Sequence, residues 1–290
     1  MTARSAAPLL LTLLLSPLAA RAESDCAALA VDKAEPGLLP MVAKEPEIYL
    51  RSSFSQRVEE IDRCPALERL WYHLLRTAEI GGAVFPATLA GVTVVDLKAA
   101  SSEAAHRFPR SARIATVRAR ALGTVDSAQQ ALALDEKWAP ARIALAAAQI
   151  KLNDTNTAQR TLAPLGDLSA FPCGPAILAN AKLLSGDYPG AIAAASVERP
   201  TLGSPPLEPT SRPFEQRCAR DALEVRGLAQ LASGTVTPAA RTLLSAAAQG
   251  AELAQRQLRA ADPKLKTALH TLRKDRRLPA NERDYLKTLH

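Results

Sequence analysis

Alanine- and leucine-rich stretches of helical length alternate along this chain with short polar breaks, and the breaks share a pattern. A glycine or asparagine is followed five residues later by an alanine at Gly123/Ala128, Asn153/Ala158, Gly186/Ala191 and Gly234/Ala239. Gly or Asn supplies the left-handed residue that ends one helix, and the small Ala lets the next helix cross close to it. The pattern predicts helix–turn–helix units in tandem: 110–121 with 125–136, 140–151 with 155–164, 174–185 with 188–197, and 219–232 with 237–248. The boundary residues lie 30, 33 and 48 positions apart, the last spacing being a unit plus an insertion. That insertion, 199–213, holds Pro200, Pro205, Pro206, Pro209 and Pro213 and cannot be helical throughout.

Before the regular part, helices are predicted over 24–35 and over 44–62, the latter with Ile48, Phe54, Val58 and Ile61 as its apolar stripe. Pro65 opens a helix through Trp71, Leu74, Leu75 and Ala78 that Gly81-Gly82 stops. A helix over about 89–107 follows, ended by Phe108-Pro109. Val92-Thr93-Val94-Val95 is the best strand candidate, but Leu97-Lys98-Ala99-Ala100 continues it as a helix. The expected class is all-α. Helices near 251–260, 263–275 and 279–289 are expected to cap the array, as an exposed repeat end requires.

Taken together these units resemble the tetratricopeptide repeat, whose period is about 34 residues. Gly186-Asp187-Tyr188-Pro189-Gly190-Ala191 looks like the family's Gly-Asp-Tyr-x-x-Ala turn. Gly227, Gly234, Ala239, Leu243 and Ala246 match its small, turn, small, large and small positions, and Leu145, Ala146, Asn153-Asp154, Ala158 and Leu162 match with Asn at the turn. Ala131-Leu132-Ala133-Leu134-Asp135 followed by Pro140 is similar to its Ala-Leu-x-Leu-Asp-Pro exit, with the proline late. Trp71 and Gly82 suggest a degenerate earlier copy, so the likeness covers about residues 65–250.

The resemblance implies a right-handed α-solenoid of antiparallel helix hairpins whose first helices line a concave groove for an extended peptide or a partner's surface. Carrying the register over gives Arg113, Val117, Arg120, Ile143, Ala147, Lys151, Asn180, Leu184, Glu224 and Leu228 as groove-facing residues. Arg113, Arg120 and Lys151 would make the early groove basic and suited to a carboxylate-bearing ligand. The plainer alternative is that they are solvated helix charges.

The N-terminus reads differently. Arg4, the apolar run Pro8–Leu15 and the Ala20-Arg21-Ala22 ending are a secretory signal pattern, expected to be cleaved after Ala22. The run is well short of the ~20 residues of a membrane span. The expected organisation is therefore a signal peptide at 1–22, an N-terminal helical cap at 23–64, repeats at 65–250 and capping helices at 251–290, in an exported, periplasmic or secreted protein. In an oxidising compartment Cys26, Cys64, Cys173 and Cys218 favour two disulfides. Four cysteines allow three pairings. The helix register favours Cys26–Cys64 and Cys173–Cys218, because each pair opens or precedes neighbouring helices.

Little else points to chemistry. The chain contains no H-E-x-x-H, G-x-S-x-G, P-loop or G-x-G-x-x-G. His73, His106, His270 and His290 are scattered, and Glu59-Glu60 point about 100° apart on a helix and cannot flank one bond. No catalytic group, metal or cofactor is expected. Asn153-Asp154-Thr155 fits a glycosylation sequon but more simply supplies a turn. Arg273-Lys274-Asp275-Arg276-Arg277 lacks interleaved aromatics, which argues against nucleic acid and for a solvated helix end. The leading reading is an exported scaffold for a protein or peptide partner, possessing no transmembrane segment. The alternative is an envelope-polymer (glycan) binder or accessory with a cryptic enzymatic role, which the low aromatic content of 4% disfavours.

Overall fold

The computed structural model describes residues 26, 54–81, 85–171, 173–196 and 212–289. The expected signal peptide, the 24–35 helix apart from Cys26, the first part of the 44–62 helix and the proline-rich stretch up to residue 211 lie outside the described residues. Helices α1 (Phe54–Arg63) and α2 (Glu68–Gly81) lead into a hairpin of β1 (Thr88–Leu89) and β2 (Val92–Thr93), followed by α3 (Leu97–Arg107). Four pairs of consecutive, mutually packed helices then run in order: α4 (Ala112–Leu122) with α5 (Val125–Leu134), α6 (Ala139–Lys151) with α7 (Thr155–Leu162), α8 (Gly174–Leu184) with α9 (Tyr188–Ala195), and α10 (Arg212–Ala232) with α11 (Val236–Ala248). Helices α12 (Glu252–Arg259), α13 (Pro263–Arg273) and α14 (Ala280–Thr288) complete the chain. The described residues are predominantly helical, as an all-α class requires.

The turn residues that the sequence singled out have the backbone they were expected to need. Gly123, Asn153, Gly186 and Gly234 sit at φ +67°, +60°, +82° and +80°. At the last three, the amide one residue further on (Asp154, Asp187, Thr235) donates to the carbonyl five residues back (Gln149, Lys182, Gln230). That bond satisfies the last carbonyls of the first helix. Gly123 makes the simpler closure, its own amide donating to the Ala119 carbonyl at 2.7 Å. Thr124, Asp154 and Asp187 then cap the second helices by accepting from the amides of Ser127, Thr157 and Gly190. Ala128, Ala158, Ala191 and Ala239, five residues after each turn, are all 0% exposed.

Two local expectations are corrected. The helix expected from 89 begins only at Leu97, and the preceding residues form the hairpin. Ala90 (φ +49°) and Gly91 (φ +76°) make its two-residue turn, which needs positive φ at both positions. The unusual alanine is held from both sides: its amide donates to Asp62 Oδ1 at 2.7 Å and its carbonyl accepts from Arg107 at 3.3 Å. Asp96 separates hairpin from helix by accepting from the Ala99 amide at 2.8 Å. The second correction is the start of α10, which reaches back to Arg212 rather than 219, with Pro213 tolerated in the first turn.

Both cysteine pairings are those expected from helix register. Cys26 joins Cys64 with Cα atoms 5.6 Å apart, and Cys173 joins Cys218 at 4.8 Å. The second bridge ties the start of α8 to α10, the first helices of consecutive pairs. These first helices pack in succession, α2 on α4, α4 on α6, α6 on α8 and α8 on α10, and α10 also touches α2. Around them, Trp71, Leu74, Leu75 and Ile114 centre the N-terminal core, while Leu243, Leu244, Leu265 and Leu269 centre the C-terminal one. Alanines fill most of the space between.

Candidate functional site

The face where α2, α4 and α6 meet carries three of the residues marked as binding candidates, Arg113, Arg120 and Lys151. Ser111 fixes it: its hydroxyl donates to Glu68 Oε1 on α2 at 2.5 Å and accepts from the Ile114 amide at 3.1 Å. One bond locks the start of α4 to α2 and the other caps α4. Arg113 is thereby held, exposed, with its guanidinium 6.0 Å from the Tyr72 ring on α2 and 5.7 Å from the Trp138 ring just before α6. Such contacts attract the cation to the ring faces and fix its position.

Two turns along α4, Arg120 lies 3.5 Å from Glu79 Oε2, and Arg76, 1% exposed, pairs with the same carboxylate. Burial pushes the Glu79 carboxyl up, but the charges of Arg76 and Arg120 outweigh it and hold the group below its ordinary value. Arg120 is thus partly neutralised. Lys151, exposed at the end of α6, lies across the C-terminal end of α4: a Cβ built on Gly123 would stand 2.5 Å from its Nζ. A cation there also complements the dipole of α4.

Other groove candidates have different duties. Val117 (0% exposed) and Ile143 (6%) were expected on a ligand-facing wall, and both are core residues. Val117 packs with the α2 cluster and Ile143 against α7 and α8. Both side chains are taken up in contacts between neighbouring helices rather than facing solvent. Glu224, half-buried on α10, accepts from the Ala254 amide at 2.8 Å and caps α12, whose own capping residue, Ala251, has no acceptor. Asn180 and Ala147 are half-buried, and Leu184 is 50% exposed. Tyr72, Trp138 and Glu79 were not singled out from the sequence. An aromatic beside the helix-opening Pro140 was the one available signal for Trp138, and nothing in the spacing linked Glu79 to Arg120.

Among the described residues no group of three His, Cys, Asp or Glu side chains could hold a metal ion. His73 is buried at 1% exposure, and its Nε2 accepts from Arg69 at 3.2 Å. No described helix is long and apolar enough to cross a membrane. No protein-family model, curated protein or solved structure matches the chain.

Proposed function

We propose that this protein is an exported interaction scaffold, a right-handed solenoid of helix pairs resembling tetratricopeptide arrays, that takes an acidic peptide on the face formed by α2, α4 and α6. The observation that carries the reading is Arg113: an exposed guanidinium steadied by two aromatic rings at the junction of three helices. A guanidinium so placed has little left to lose in ordering and presents a fork that suits a carboxylate. Lys151, on the neighbouring first helix α6, adds a second exposed cation. The repeated turns, with their left-handed residues and fully buried alanines, support the array half of the reading. Tyr72, 2% exposed, has its ring turned to Arg113 and the core, which speaks for a peptide and against sugar stacking.

The test uses affinity capture of partners from envelope extract by the chain lacking residues 1–22. Arg113→Glu with Lys151→Glu is the informative variant, because Arg120 must be left in place to serve Glu79. Capture is expected to fall at least tenfold with the melting temperature unchanged. It is also expected to weaken as salt shortens the screening length from about 10 Å at 0.1 M to about 3 Å at 1 M. Capture that survives both the double reversal and 1 M salt refutes the site.

A further inference from the structure

The positive charge of the chain is unevenly placed. Of the 34 basic and 29 acidic residues after Ala22, 10 and 5 fall after Gly250, so residues 23–250 carry 24 of each. The whole excess of the chain after Ala22 therefore sits in the C-terminal segment after Gly250, which holds the three last helices and their connections. Those helices enclose a cleft of about 670 Å³ between α12, α13 and the end of α14, continued by a second hollow of about 400 Å³ on the other side of Arg273 and Leu289. The basic groups Arg259, Lys266, His270, Arg273, Arg283 and Lys287 line the two, and among the described residues no carboxylate does. Asp262 caps α13 and Asp275 pairs with Arg241, both away from the cleft, while Asp284 pairs with Lys287 at the edge of the second hollow. Among the described residues neither Arg259 nor Lys266 has a carboxylate within ion-pair distance.

Three further features define what would fit. Arg273 donates to the carbonyls of Leu286 and Leu289, so its guanidinium is fixed at the centre of the cleft. Leu258, Leu269 and Leu289 supply an apolar floor. The hydroxyls of Thr267, Thr271 and Thr288 each donate to a helix carbonyl, of Pro263, Thr267 and Tyr285 at 2.8, 3.1 and 2.7 Å. Their protons are spent, so they can only accept from a ligand. Cations, acceptors and an apolar floor in one cleft complement a ligand with carboxylates, N–H groups and aliphatic side chains. Phosphate alone brings no N–H, a lipid headgroup leaves the floor to an acyl chain, and with no Phe, Tyr or Trp among the described lining residues nucleobases and sugars lack a broad stacking surface.

We infer that the cleft between α12, α13 and α14 is a second binding site, for an acidic peptide segment that places carboxylates on Arg259, Lys266 and Arg273 and an aliphatic side chain on the leucine floor. It is independent of the Arg113 face and carries different residues.

The experiment titrates the full secreted chain with the synthetic peptide acetyl-Glu-Leu-Glu-Leu-Glu-amide, following backbone amide shifts by NMR, with inorganic phosphate and anionic phosphatidylglycerol vesicles as parallel probes. Saturable shifts at α12–α14 are expected, separate from any at the Arg113 face, and at α12–α14 weakened at least tenfold by Arg259→Glu with Lys266→Glu and unchanged by Arg113→Glu with Lys151→Glu. Thermal melting run alongside is expected to show both variants folded, since all four side chains are exposed. No saturable shift up to millimolar peptide, shifts only at the Arg113 face, or equal response to phosphate or vesicles at the same sites overturns the inference. Should the charge reversal unfold the chain, Lys266→Gln with Arg259→Gln replaces it and must weaken binding.

Discussion

Gly227 on α10 lies directly against Leu243 on α11: a Cβ built on Gly227 would stand 2.7 Å from the Leu243 Cγ and 3.1 Å from its backbone nitrogen. A mid-helix glycine gives up about 1 kcal/mol of helix propensity relative to alanine, so its presence there reflects close approach of the two helices. Gly227→Leu is expected to overpack this contact and cost about 1–3 kcal/mol in urea denaturation. Gly227→Ala is expected to cost less, because the propensity gain offsets part of the clash. Unchanged stability in Gly227→Leu would mean the α10–α11 contact is looser than described.

The same logic applies to the alanines after the turns. Ala191→Leu and Ala239→Leu, both at 0% exposure, are each expected to lower stability by about 1–3 kcal/mol. Among the histidines the effect should depend on burial. His270→Ala, on an exposed residue, is expected to shift stability by no more than about 0.5 kcal/mol. His73→Ala, on a residue 1% exposed and bonded to Arg69, is expected to be clearly destabilising. Circular-dichroism melts of the four variants check the order.

At Gly234 a Cβ would meet nothing within 4 Å, yet φ is +80°. Gly234→Ala therefore isolates the backbone term, and a loss of about 1–2 kcal/mol is expected from placing an L-residue in the left-handed region. Asn153, at φ +60°, already carries a side chain there. Asn153→Gly is expected to be neutral or slightly stabilising. Equal and opposite substitutions at equivalent turns make a clean comparison by thermal unfolding.

Glu79 gives a pH dependence with a definite sign. Its folded pKa is below the unfolded value of about 4.3. The stability it contributes is therefore fully present above that pH and is lost as pH falls toward the folded value. Glu79→Gln removes a carboxylate from Arg76 and Arg120 and is expected to cost about 1.5–3 kcal/mol at pH 7. As pH falls below the ordinary carboxylate range the variant should lose less stability than the parent. Urea melts across that range that run parallel for both proteins would falsify the ion-pair account.

Much of the local architecture was legible in the residues themselves. Gly123, Asn153, Gly186 and Gly234 end helices because a left-handed residue is a local requirement, met by one or two residue types whatever surrounds them. The alanines five positions later follow from the same turn, since the crossing angle puts that position at the helix contact. Both disulfide pairings followed from knowing which helices run side by side. Where a short stretch carries its own backbone preference, neighbours add little.

The tertiary structure decided the rest. Asp62 and Arg107, far from Ala90 in sequence, hold the hairpin turn that propensity alone read as helix. Val117 and Ile143 occupy register positions that resemble groove-facing ones, but how closely two helices approach depends on every side chain between them, and here both are buried. Glu224 became a cap because Ala251, 27 residues on, offers no acceptor of its own. The meeting of Glu79 with Arg120 and of Arg113 with Tyr72 and Trp138 depends on how three helices stack. Such contacts are non-local, and periodicity, which reports only the buried face of one helix, does not specify which residues face each other across two.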